Sequence, residues 1–141
     1  MPLIHIRSKK LEFQFNIEDK YTVLQGDSGV GKTTFYRLVS DMDNGSAGIQ
    51  NLSDISVVAV PKCFETFTFD RFSNCVMVID GNCTLFDRPD CASLLEGSDN
   101  YFIMIHRGAN FLPAHVDTVF TVSCHNHFYT LKPFLPASTQ G

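Results

Sequence analysis

Residues 3–7 (LIHIR) and 11–15 (LEFQF) switch between apolar and polar side chains at every position, with Ser8, Lys9 and Lys10 between them. A period of two belongs to strands with one buried face, and the polar break predicts an antiparallel hairpin. Residues 17–20 then turn into a short, apolar, β-prone strand at 21–25. Next the period lengthens. Phe35, Leu38, Val39 and Met42 fall at i, i+3, i+4 and i+7, which predicts a helix running to about Asp41 and stopping at Asp43-Asn44-Gly45.

Further on, alternation gives way to continuous apolar runs: 55–60 (ISVVAV, closed by Pro61), 75–80 (CVMVID) and 101–105 (YFIMI). Such runs suit strands covered on both faces, as in parallel sheets. Residues 63–74 carry Phe64, Phe67, Phe69 and Phe72, a mixed signal read as a short helix whose rings pack on the sheet. Asp87-Arg88-Pro89-Asp90 reads as a helix start capped by Asp87, with CASLLE following and Gly97 as the stop. Residues 109–114 read as a loop, 116–122 as a strand, 124–127 as a turn and 128–131 as a closing strand, with a frayed tail over 133–141. Strands alternating with helices predict an α/β fold in one domain spanning 1–141. Its form is a three-layer, mostly parallel sheet with an N-terminal antiparallel hairpin and a C-terminal β-hairpin.

Composition narrows the classes. The chain has 141 residues, 44% of them hydrophobic, and a net charge of −4, so it can bury a core and is neither disordered nor a broad polyanion binder. Arg7, Lys9 and Lys10 form the one basic cluster, and on a strand they would not all share a face; charge therefore does not support nucleic acid as a ligand. No apolar run approaches a membrane span and the N-terminus lacks a signal-peptide core. Five scattered cysteines without a C-x-x-C suit a reduced, cytoplasmic protein with free thiols. Cys124, His125 and His127 have a metal-like spacing, but four ligands are needed and no second pair exists, so a structural turn is the preferred reading.

The chemistry concentrates at residues 22–34, TVLQGDSGVGKTT, where Gly26, Gly31, Lys32 and Thr33 fill the pattern G-x-x-x-x-G-K-[ST]. Gly26, Gly29 and Gly31 allow a backbone curl whose N–H groups point at a polyphosphate, and a helix opening near Gly31 adds its positive dipole end. The expected phosphate-binding segment is Gly26, Asp27, Ser28, Gly29, Val30, Gly31, Lys32, Thr33 and Thr34. Lys32 suits the β- and γ-phosphates, and the Thr33 hydroxyl suits Mg2+. Asp80 ends an apolar run, where its carboxylate would serve the same magnesium.

In these residues the chain resembles the P-loop NTPase superfamily, with GDSGVGKT as a Walker A loop and CVMVID as a Walker B strand. The order of hairpin, loop, Asp-ending strand and His-ending strand over roughly residues 3–122 is similar to the ATP-binding-cassette branch. That resemblance implies phosphate contact by Lys32, magnesium ligation by Thr33 and Asp80, and a γ-phosphate sensor at His106. Three departures reduce it to a minimal core. Pro61-Lys62 stands where the branch has a glutamine. Only 14 residues separate Val60 from Cys75, leaving no room for the helical LSGGQ subdomain. Gly81 and Asn82 follow Asp80 where a water-orienting glutamate is usual.

Without an N/T-K-x-D motif, ATP is favoured over GTP, with Phe13 or Phe15 either stacking on the base or lying in the core. Candidates for positioning water are His106, Asn82 and Asp87, and Arg107 could stabilise charge across an interface. Three functions follow as expectations. The first is binding of ATP or another nucleoside triphosphate with Mg2+, with slow or partner-dependent hydrolysis. The second is a regulatory or adaptor module without turnover, acting through a protein partner or self-association. The third is a small-molecule kinase, disfavoured because no basic lid helix follows Tyr101.

Overall fold

The computed structural model describes residues 2–25, 31–106 and 119–133. Alternation in the first two strands buries Ile4, Ile6, Phe13 and Phe15 on one face, and β1 (Leu3–Arg7) and β2 (Glu12–Asn16) pair as an antiparallel hairpin. There follow β3 (Tyr21–Leu24), α1 (Lys32–Asp43), β4 (Gln50–Asn51), β5 (Val57–Ala59), β6 (Val76–Asp80), α2 (Cys91–Glu96), β7 (Tyr101–Ile105), β8 (Val119–His125) and β9 (Phe128–Pro133). Two 3₁₀ turns, Phe69–Arg71 and Thr84–Asp87, lie on either side of β6.

All nine strands join one sheet in the order β4-β1-β2-β9-β8-β3-β7-β6-β5. Pairs β1–β2, β1–β4 and β8–β9 are antiparallel, and the other five neighbours are parallel. Residues from both ends of the sheet, Ile4 and Ile6 on one side and Val57 on the other, share one core cluster with Phe35, Tyr36, Leu38 and Val39 of α1. The sheet thus curls round the helix into a nearly closed, barrel-like form.

This corrects the expected fold class. The chain is predominantly β, with a mixed sheet and only two α-helices among the described residues, and is not a three-layer α/β protein. The physical reason lies in the covers. A three-layer fold needs helices on both faces, and α1 supplies one. On the other face Met77, Ile79, Phe102 and Met104 are covered by Phe64, Phe69, Leu85, Cys91 and Leu95, which belong to irregular chain, 3₁₀ turns and the six-residue α2. The P-loop NTPase resemblance falls on the same finding, and with it the ground that the family gave for an ATPase: this is not the helix-rich parallel core of that superfamily.

Smaller corrections follow. The expected helix over 63–74 is irregular apart from its 3₁₀ turn, because its rings cluster with one another instead of forming a stripe. Phe64 and Phe69 lie 5.2 Å apart, Phe67 and Phe72 5.5 Å, and Phe69 meets Phe102 at 5.1 Å. Asp87 closes a 3₁₀ turn, and α2 starts at Cys91 behind Asp90, whose carboxylate binds Arg88 at 2.8 and 2.9 Å. Residues 109–114, the start of the strand expected over 116–122, and nearly all of the expected tail lie outside the described residues. No helix among the described residues is long and apolar enough to cross a membrane.

Candidate functional site

Three parallel strands end in one row. Register sets Leu24 of β3 beside Ile105 of β7, and Ile105 beside Asp80 of β6. The His106 N–H donates to the Leu24 carbonyl at 2.8 Å, and the Gln25 N–H donates to Phe120 at 2.7 Å. In β6, Val76 and Val78 pack with α1 while Met77 and Ile79 face the opposite cluster, so alternation turns Asp80 towards α1. Its side chain is fully buried.

The helix presents matching chemistry. Lys32 opens α1 and is buried, and Tyr36, one turn later on the same face, is buried too. The Tyr36 hydroxyl donates to the Val60 carbonyl at 2.5 Å. Burial, then the nearby Asp80, then Cys83 and Asp43 push this phenol up to about 12. Asp80 therefore acts electrostatically on the helix face that carries Lys32. The Asp80 Oδ1 accepts the Asn82 N–H at 2.8 Å and its carbonyl accepts the Cys83 N–H at 2.9 Å, a local turn that holds the carboxylate in place. The Lys62 ammonium lies 5.7 Å from the centre of the Tyr36 ring.

Gly31 joins this edge to the last hairpin. Its φ is +98°, and a Cβ there would fall 2.8 Å from the Tyr129 ring and 3.1 Å from Val122 Cγ1. Both the conformation and the space demand glycine. Its carbonyl accepts the Phe35 N–H at 2.8 Å, the first turn of α1.

Of the residues expected to bind phosphate, Gly26, Asp27, Ser28, Gly29 and Val30 lie outside the described residues, as does Arg107. Lys32 is buried, Thr33 exposed and Thr34 half-buried. His106 leaves the sheet at the same edge, and its buried Nδ1 has no hydrogen-bond partner among the described residues. Asn82 is exposed and contributes its backbone N–H to Asp80, while Asp87 is exposed in its 3₁₀ turn. Phe13 and Phe15 are both core. Phe13 stacks on Tyr129 at 4.3 Å and meets Phe35 at 5.1 Å, and Phe15 meets Phe35 at 5.6 Å, so neither is placed to hold a base.

Sequence reasoning missed Tyr36 as a member of this edge, and its spacing four residues from Lys32 was the available signal. Lys62 was legible as the polar residue that follows the apolar run 55–60. Among the described residues no three His, Cys, Asp or Glu side chains group to hold a metal, and all five cysteines are free. Magnesium does not require such a cage. It commonly takes one or two carboxylates, with substrate phosphates and water completing the octahedron. Compared with family models, with curated proteins and with solved structures, the chain matches none of them.

Proposed function

We propose that this protein binds a nucleoside triphosphate, ATP by preference, with Mg2+ at the edge where β3, β6 and β7 end, and hydrolyses it slowly or only with a partner. The carrying observation is a buried lysine at the start of α1 together with a fully buried aspartate at the end of β6, whose charge acts on Tyr36 one turn along the same helix face. A buried charge is costly unless opposed or hydrogen-bonded, and such groups concentrate where a charged ligand is handled. Lys32 would meet the phosphates, Thr33 and Asp80 would serve the magnesium, and the segment 26–31 would supply backbone N–H groups. Slow turnover follows from Gly81 and Asn82 after Asp80, since neither side chain is a base for water.

Calorimetric titration with MgATP tests the reading. Binding that is lost in Lys32→Ala, and that loses its magnesium dependence in Asp80→Asn, is expected. Unchanged ATP affinity in Lys32→Ala would refute it. Phosphate release at saturating ATP then separates the two forms of the proposal. Stabilisation by ATP with measurable release indicates a weak ATPase. Equal stabilisation by ATP, ADP and a non-hydrolysable analogue, with no release, indicates a regulatory module.

A further inference from the structure

The β1–β2 and β8–β9 turns meet at one corner of the molecule. Parallel pairing sets Glu12 beside Phe128, and the Glu12 N–H donates to the His127 carbonyl at 3.0 Å. A hollow of about 310 Å³ opens there, lined among others by Arg7, Lys9, Lys10, Asn126, His127 and Phe128. The three cations do not share a strand face by sequence, yet the turn gathers them round this one space. From these juxtaposed cations and the aromatic ring we infer that the corner binds single-stranded nucleic acid.

The charge there opposes that of the whole. The chain carries a net −4, whereas this corner holds three cations and one lining carboxylate, Glu12, which is engaged by His5 Nε2 at 2.5 Å. Arg7 donates to the neutral Gln50 Oε1 at 3.0 Å and has no carboxylate partner among the described residues, and Lys9 and Lys10 are exposed. Phe128 is 38% exposed, one of two large hydrophobic residues so exposed among the described residues. A ring at the rim of a cationic hollow adds little to a core and provides a face on which a base can stack. Asn126 and His127 hold φ of 50° and 67°. Glycine adopts the left-handed region more easily than histidine, so this turn keeps a stacking-capable ring where glycine would be less strained.

Single strands fit better than other polyanions. A duplex hides its base faces, an acidic peptide offers Phe128 no planar partner, and a membrane surface calls for several exposed apolar residues where this corner has one. The inference does not depend on the triphosphate site.

Fluorescence anisotropy of the full chain with labelled oligothymidine and oligouridine at low salt is the test. Binding should weaken with salt at a log–log slope of about −2, from three phosphate contacts at about 0.7 each. The double variant Lys9→Glu/Lys10→Glu should bind at least about tenfold more weakly with a shallower slope. Phe128→Ala should bind about fivefold or more weakly at an unchanged slope, the mark of a stacking contact. Circular dichroism melts confirm that both variants fold. Absence of binding at low salt would overturn the inference. So would unchanged affinity in Phe128→Ala, or equal binding of duplex DNA, heparin or anionic vesicles, since each indicates charge alone.

Discussion

The two faces of the sheet are built differently, although the same strands supply both. One face rests on α1, a regular helix whose Phe35, Leu38 and Val39 recur at helical spacing. The other rests on four phenylalanines in irregular chain, two 3₁₀ turns and a six-residue helix. Burial is equally complete: Val78 and Met77, adjacent in β6 and facing opposite ways, are both fully buried. The lesson is that a sheet needs apolar cover and not any particular secondary structure. Chemistry, however, is unequally shared, since Asp80, Lys32 and Tyr36 all belong to the helical side.

Truncating one ring on each face makes the sharpest contrast. Phe35→Ala removes a ring in contact with Phe13 and Phe15, and Phe69→Ala removes one in contact with Phe64 and Phe102. Each should destabilise by about 3–5 kcal/mol in urea unfolding. Only Phe35→Ala should also weaken the thermal shift expected from the proposed MgATP binding, because of the two rings only Phe35 seats the helix bearing Lys32. Equal loss of the shift in both variants would show that the faces are not independent.

Gly31→Ala comes next, at about 2–4 kcal/mol, combining left-handed strain with overpacking against Tyr129 and Val122. Its burden falls on the helical side alone. Tyr129→Ala in the same chain should recover part of the loss by vacating the space, and a double-mutant cycle with no coupling would refute the steric cause.

How much of this could be read from residues depended on range. The hairpin of β1 and β2, the helix α1, and the strands ending at Asp80 and Ile105 follow from short-range periodicity, which is visible within a dozen residues. The parallel pairing of β2 with β9, which brings the first hairpin against the last, joins residues more than a hundred positions apart and leaves no local trace. The aromatic cover was equally hidden, because rings at 64, 67, 69 and 72 match no single period. At the candidate site, the apolar runs ending at Asp80 and before His106, and the loop pattern holding Lys32, singled out residues that lie along one edge of the sheet. Eight residues of GDSGVGKT nonetheless say little about how the remaining chain is layered, and the expectation of a three-layer core drew too much from them.

On the aromatic side, Asn100 is the polar counterpart to test. It is almost fully buried, and its Oδ1 accepts the Cys75 N–H at 2.9 Å while its Nδ2 donates to the Phe72 carbonyl at 3.1 Å and to Ser98 Oγ at 2.8 Å. These bonds tie together the starts of β6 and β7, the edge opposite the candidate site. Asn100→Ala strands those buried groups at about 1–3 kcal/mol, read in the same urea unfolding. The MgATP shift should survive it, and a lost shift would mean that the two edges of the sheet communicate.

Tyr36 gives the smallest effect and the most specific one. Removing its hydroxyl in Tyr36→Phe takes a donor from the Val60 carbonyl, worth about 1 kcal/mol at neutral pH. Its pH dependence has a definite sign. In the unfolded chain the phenol ionises near 10.0, while in the fold burial and the Asp80 charge hold the proton to about 12. The folded state therefore binds the proton more tightly. Its contribution is complete below pH 10 and is lost as pH rises from 10 to about 12. Burial also raises the Tyr21 and Tyr129 phenols, so absorbance titration should lose one of several late tyrosines in Tyr36→Phe, together with a flatter alkaline fall in melting temperature. Asp80→Asn should move that late titration downward by removing the second-largest cause. A late tyrosine unmoved by Asp80→Asn would separate Asp80 from the helix face, and with it the buried charge by which the helical side differs chemically from the aromatic one.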